Sequence, residues 1–353
     1  MADLKDKFCS RPWDFFEIQE REIYPCCPTW VNDNHIGENI GDLNIEKVWN
    51  GEKAKDFRRS ILDGSFKYCN KELCPMIANN SLPTREEVKK GALGDTFSTI
   101  LEFGLVQADK PNTINLCYDR SCNLRCPSCR SNFIYYTEKT HKPQFDKLTK
   151  INNAVLKYVH STKKRICLNV TGSGDPFGSL HFFNLLKQLS YSKNPNLHVN
   201  LQTNGVLFNE KRWNELENIH KFDIDTIISL DAGTEEAYNL TRLGGDWKKV
   251  NENLKFIKKL QEQSFIKNVR LDMVVQYNNY KTIPQFVDIA RSYNFECYLS
   301  RIVNWGTFTL VEFVKHNIFD TKHPNHTDLI NILKNMNSYD KLDTGNITDL
   351  YNT

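Results

Sequence analysis

From Thr113 onward the chain alternates short apolar runs with amphipathic stretches, and this rhythm restricts its possible folds more than any other feature. Strands are expected at Thr113–Cys117, Arg165–Thr171, His198–Thr203, Thr226–Asp231, Val269–Gln276 and Glu296–Val303. Between them Leu148, Ile151, Val155 and Val159 recur at helical spacing, as do Val250, Leu254 and Ile257, then Phe286, Ile289 and Tyr293. Thr234-Glu235-Glu236 and Thr282–Pro284 carry residues typical of helix starts. Strands alternating with helices pair in parallel through right-handed crossovers. Six such units, where a closed barrel has eight, predict an α/β fold built as a partial β/α barrel, open along one side.

Functional residues in parallel β/α folds gather at the carboxyl ends of the strands. Polar or glycine-rich loops stand there at Cys122–Cys129, Gly172–Pro176, Thr203–Gly205, Asp231–Gly233 and Asn304–Gly306. That rim is therefore the expected active face. Residues 1–90 read differently. Phe15–Ile18 and Glu22–Tyr24 look like a short hairpin, Gly41-Asp42-Leu43 a turn, and Ile45–Ile61 a helix anchored by Val48, Trp49, Phe57 and Ile61. The resulting division is a small cysteine-rich module at 1–90, a linker at 91–112, the barrel at 113–305 and an extension at 306–353. A module so poor in regular core invites stabilisation by a metal centre.

The chain has eleven cysteines, five within the first 74 residues and four between Cys117 and Cys129. Met1–Lys7 is polar, no apolar run approaches membrane-spanning length, and a cytoplasmic protein is expected. Without a secretion signal, clustered cysteines point to metal or redox chemistry and not to a disulfide framework. Cys117 and Cys167 sit in apolar strand runs and read as core thiols. The net charge of +3, from 46 basic and 43 acidic residues, argues against nucleic acid as the main partner. The nine histidines form no metal-like constellation.

Ser121-Cys122-Asn123-Leu124-Arg125-Cys126-Pro127-Ser128-Cys129-Arg130 places three thiols at C-x3-C-x2-C on one loop. Three thiolates can hold three irons of a four-iron cluster and leave the fourth open. Zinc is the rival, since Cys126 and Cys129 have zinc-ligand spacing, but a structural zinc site needs a fourth ligand.

This pattern, at the end of the first strand of a β/α unit, resembles the signature of the radical S-adenosylmethionine (SAM) superfamily over roughly Thr113–Val303. The resemblance implies a [4Fe-4S] cluster on Cys122, Cys126 and Cys129 whose open iron is chelated by SAM. Reduction then yields a 5′-deoxyadenosyl radical that abstracts hydrogen from substrate. It also implies SAM contacts from Gly172, Ser173, Gly174 and Asp175, where the family has Gly-Gly-Glu-Pro. Asn204 of Thr203-Asn204-Gly205, with Ser229 and Asp231 of Ser229-Leu230-Asp231, would follow at the next two strands. Arg242 matches the arginine that pairs with the SAM carboxylate, a fork of donors suited to that group. Gln276 is a further candidate for a polar contact. Ser128 replaces an aromatic residue that packs by the adenine, so stacking would come from elsewhere.

The block Cys9-Ser10-Arg11-Pro12-Trp13, Tyr24-Pro25-Cys26-Cys27, Gly41-Asp42-Leu43, Val48-Trp49 and Cys69-x4-Cys74-Pro75 is similar to SPASM or twitch auxiliary-cluster modules, which usually follow the barrel. The implied ligands of an auxiliary [4Fe-4S] cluster are Cys9, Cys69, Cys74 and one of Cys26 and Cys27, with Cys26 preferred. Adjacent strand residues face opposite ways, so both members of the pair do not easily serve one cluster. A zinc knuckle on the same four thiolates is the alternative. Cys297 on the sixth strand is a candidate hydrogen-atom donor if it points inward, with Tyr298 as fallback. The implied reaction is epimerisation or dehydrogenation of a peptide or a sugar, fed by an electron donor such as flavodoxin or ferredoxin. Radical cross-linking of a peptide and a non-catalytic zinc or iron–sulfur scaffold are the competing readings.

Overall fold

The computed structural model describes residues 3–38, 43–170 and 172–351. Gly41 and Asp42 of the expected turn, and Thr171, lie outside the described residues. The strands are β1 (Phe15–Gln19), β2 (Glu22–Tyr24), β3 (Gly37–Glu38), β4 (Thr113–Cys117), β5 (Ile166–Val170), β6 (Leu197–Thr203), β7 (Asp223–Ser229), β8 (Asn268–Val275), β9 (Glu296–Arg301) and β10 (Leu342–Asp343). The six strands read from the sequence are β4 to β9, with ends displaced by a few residues. Two compact units result: Met1–Asp119, His141–Gly172 and Ser192–Leu197 form the first, and Arg120–Thr140, Ser173–Tyr191 and His198–Thr353 the second.

In the first unit β1 is antiparallel to β2, which pairs with β3, and parallel to β4, which pairs with β5. Phe15 lies opposite Thr113 and Gln19 opposite Cys117. The reading of 1–90 as a module set apart by a linker did not anticipate this pairing. Its cause is visible in the alternation. Phe16 and Ile18 extend the fully buried apolar face formed by Ile114, Leu116, Ile166, Leu168 and Val170. Glu17 and Asn115 lie on the opposite face, joined by a bond from Asn115 Nδ2 to Glu17 Oε2 of 2.9 Å. The helix Lys142–His160 buries Leu148, Ile151, Val155 and Val159, the residues whose spacing predicts it. The linker itself holds a helix, Asp95–Phe103.

The helix expected over Ile45–Ile61 is two, Ile45–Trp49 and Glu52–Leu62, because Gly51 starts the second in extended conformation. Asn50, at the break, bonds both ways to the backbone of Ala108. Arg58 is fully buried beneath it and donates to the carbonyls of Pro12, Trp49 and Val106 at 2.9–3.0 Å and to Asn50 Oδ1 at 3.1 Å. Its guanidinium lies 4.4 Å from the Trp49 ring centroid. Burial without a counter-charge pulls its pKa down to about 9.

In the second unit β6, β7, β8, β9 and β10 run parallel, each beside the next in sequence. Alternate residues are buried: Ile224, Thr226 and Ile228 on β7, then Val269, Leu271, Met273 and Val275 on β8. Asp246 caps the helix Trp247–Glu262, and Pro284 sits in the first turn of Ile283–Tyr293. The extension at 306–353 contributes β10. Among the described residues no helix is long and apolar enough to cross a membrane.

Candidate functional site

The loop carrying Cys122, Cys126 and Cys129 belongs to the second unit and is held by its backbone. Cys122 N–H donates to the Ile134 carbonyl, Arg125 N–H to that of Leu243, and Cys129 and Arg130 N–H both to that of Cys126. Cys126 packs with Leu124 and Val206, and Cys122 lies against the same cluster, whereas Cys129 is exposed.

Each of the three sulfurs receives an N–H donor. Leu124 N–H and Asn204 Nδ2 reach Cys122 Sγ at 3.4 and 3.6 Å, Arg242 Nη1 reaches Cys126 Sγ at 3.5 Å, and Arg130 Nη2 reaches Cys129 Sγ at 3.4 Å. Burial pushes the Cys122 thiol up to about 12, Asp175 adding to the effect and Arg130 opposing it. Cys126 is also raised by burial, against the pull of Arg242. A metal centre would supply the positive charge that lets such thiols bind as thiolates, their protons being released to solvent.

Asp231, at the end of β7, adopts a left-handed conformation (φ 55°) and is 3% exposed. Its carboxylate accepts Arg242 Nη2 at 2.9 Å and the Val274 N–H at 2.7 Å. Arg242 Nε is buried with no hydrogen-bond partner, and so is the hydroxyl of neighbouring Tyr238. Two orphaned donors beside Cys126 call for an acceptor, and an anionic cluster with a carboxylate ligand provides the chemistry they lack.

Asp175 stands in the loop whose backbone is expected to meet SAM, and its carboxylate is turned to the protein. It is 1% exposed and both oxygens are saturated. Oδ1 accepts the N–H groups of Phe177 and Gly178, while Oδ2 accepts Thr203 Oγ1 and Asn204 N–H at 2.8 Å each. The carboxylate thus clasps its loop to the end of β6 and presents no spare lone pair in the direction of a ligand. Gly172 needs its glycine: φ is 100° and a Cβ would stand 2.1 Å from Cys117 Sγ. The Ser173 carbonyl accepts Arg130 Nη2 at 2.5 Å, and half-buried Gly174 follows in the loop. Ser229 Oγ accepts Gln202 Nε2 at 3.4 Å. Gln276 is buried just after β8, its backbone N–H donating to Asn279 Oδ1. Asn279 Nδ2 in turn holds the carbonyls of Asp231 and Val274 at 2.9 Å each.

Cys297 is not in this network. It is fully buried between Leu271 on β8 and Leu342 on β10, and the groups acting on it include Arg291 of the helix Ile283–Tyr293. Inward pointing was the condition for a donor role, and the condition is not met. Tyr298, on the opposite face of β9, is half-buried with the Arg270 guanidinium 4.8 Å from its ring centroid.

In the first unit Cys9, Cys26, Cys69 and Cys74 line one recess, together with Arg11 and side chains such as Trp30, Phe57, Ile61 and Phe66. Cys27 is not among the lining residues; its sulfur lies 3.3 Å from Thr29 Oγ1. Burial pushes Cys9 up to about 11 and Cys26 to about 12, and raises Cys69 as well. Arg11 Nε is buried without a partner and opposes the shift at Cys9 and Cys26. Among the described residues no three His, Cys, Asp or Glu side chains are placed to hold a single metal ion. Four thiols on one recess are the number that a four-iron cluster takes as ligands.

Sequence reasoning missed Arg130, Asn279 and Arg11. Arg130 had one signal, its place directly after the third cysteine; Asn279 had none.

Residues 119–290 match the family model of the radical SAM superfamily, and residues 9–75 that of SPASM, an iron–sulfur cluster-binding domain. A search of curated proteins finds no match. Among solved structures the chain is similar to hexahistidine-tagged anSMEcpe with bound AdoMet, at 21% identity and a TM-score of 0.37 over 53% of this chain and 50% of that one. It is also similar to Streptococcus suis SuiB (15%, 0.44, covering 87% and 65%) and to the radical SAM methyltransferase TsrM from Kitasatospora setae (13%, 0.35, covering 51% and 35%). The chain spans about half the length of the first of these.

Proposed function

On the premise that this chain is a member of the radical SAM superfamily with a SPASM domain ahead of its barrel, we propose an enzyme that cleaves SAM reductively and abstracts a C–H hydrogen from a peptide or a carbohydrate, with epimerisation or dehydrogenation as the outcome. Its cofactors are a [4Fe-4S] cluster with SAM and an auxiliary iron–sulfur cluster. When bound, the first cluster would supply the electron that breaks a C–S bond of SAM, giving methionine and a 5′-deoxyadenosyl radical.

The chain's own residues divide the remaining work. Cys122, Cys126 and Cys129 hold the cluster, and three ligands leave one iron for SAM. Arg242, held in place by Asp231, has an unpartnered Nε that would donate to the SAM carboxylate. Asn204 and Arg130 donate to the outer sulfurs, and Asp175 fixes the loop from which Ser173 and Gly174 meet the SAM amino group through their backbone. Cys9, Cys26, Cys69 and Cys74 hold the auxiliary cluster. With four protein ligands it has no site for substrate, so it serves as a one-electron carrier, as dehydrogenation requires.

The orphaned Arg242 Nε beside Cys126 is the observation that carries this reading. Anaerobically reconstituted protein, reduced chemically or by flavodoxin or ferredoxin, should be brown, bind roughly eight irons if both centres are four-iron clusters, and release 5′-deoxyadenosine from SAM. Colourless protein that loads zinc and leaves SAM intact would mean a binding scaffold.

A further inference from the structure

Arg130 touches both the cysteine loop and the 173–175 loop, and its contacts carry more than the loop packing described above. It is 5% exposed. Nη1 donates to the Arg120 carbonyl at 2.5 Å, and Nη2 to the Ser173 carbonyl at 2.5 Å and to Cys129 Sγ at 3.4 Å. Its backbone N–H is tied to the Cys126 carbonyl. The guanidinium is thus fixed before any ligand arrives, and no carboxylate neutralises it among these contacts.

We propose that Arg130 sets the reduction potential of the SAM-side cluster while anchoring Ser173 beside it. The inference requires only that the cluster sits on these three cysteines. A four-iron core with two positive charges and three thiolates carries one net negative charge, and one-electron reduction makes it two. A fixed cation favours the more negative state, and N–H donation to a ligating sulfur acts in the same direction, so both raise the potential. The same side chain holds the Ser173 carbonyl, which makes Arg130 a positioning residue for the 173–175 loop as well.

The test is the midpoint potential of the reconstituted full chain without SAM, read from the EPR signal of the reduced cluster in a Cys69→Ala background that removes the auxiliary signal. In Arg130→Gln the reduction equilibrium should fall about tenfold at a fixed potential, a shift of about 59 mV to the negative for one electron. Arg130→Lys keeps the charge but loses the fork, and should shift in the same direction by less. Should Arg130→Gln fail to load iron, Arg130→Lys decides alone: a lowered midpoint supports the proposal. Full iron loading with a midpoint equal to or above that of Arg130 itself overturns it. Iron content and colour report separately on whether the cluster is there at all.

Discussion

The two thiol groups of this chain meet the same problem, buried sulfur that must become anionic, with different surroundings. In the first unit Cys9, Cys26, Cys69 and Cys74 stand around a mostly apolar recess with one guanidinium, Arg11, as counter-charge. In the second, three sulfurs receive donors from Leu124, Asn204, Arg242 and Arg130, and Cys129 is open to solvent. Under the proposed assignment, four ligands in a greasy recess would make a closed centre, suited to storing an electron. Under the same assignment, three ligands ringed by polar donors, two of them cations, would make a centre suited to an anionic guest. Ligand number alone would have suggested this division; the donors explain how each centre is made to keep to it.

The comparison breaks most visibly with cysteine substitutions. Cys126→Ala should abolish 5′-deoxyadenosine release, while Cys69→Ala should retain SAM cleavage, lose product formation, and fall from roughly eight to four irons per chain. Equal losses in both variants would erase the distinction between the centres. Next in size is the support of the closed centre. Arg58→Met leaves the carbonyls of Pro12, Trp49 and Val106 without a donor, and should lower the unfolding free energy by about 3–5 kcal/mol, measured by denaturant titration of the metal-free chain. Arg242→Lys tests the open centre's affinity for its guest: the loss of a fork-shaped donor should weaken SAM binding roughly 10- to 100-fold, seen by equilibrium dialysis of the reconstituted protein. The smallest effect discriminates most finely. Cys27→Ser should keep wild-type iron content and visible spectrum, whereas Cys26→Ser should lose the auxiliary cluster; the reverse result would move the fourth ligand to Cys27.

Much of this was legible from residue order alone. The six strands β4 to β9 follow from short apolar runs and the helix at Lys142–His160 from period 3.6, both local signals. The cysteine groups were readable because spacing on one loop survives folding. Pairing was not readable. Nothing local says that Phe16 and Ile18 will continue the apolar face of Ile114 and Leu116, since register between distant strands is settled by the layer they jointly cover. The role of Asp175 was hidden for a related reason: its four donors come from two loops whose meeting depends on the sheet. Cys297 shows the same limit from the other side. Its strand was found, but which of two faces it occupies turned on an alternation shared with β8.

The parallel pairing of β1 with β4 carries a practical consequence. A truncation that begins the chain near residue 112, in the hope of isolating the catalytic half, would strip the partner from β4 and leave a row of backbone amides and carbonyls bare beside an apolar sheet face. Such a product would self-associate through that raw edge whether or not its iron chemistry were intact. The auxiliary module is therefore also a protective hem, and inactivity of a shortened protein would say nothing about electron transfer.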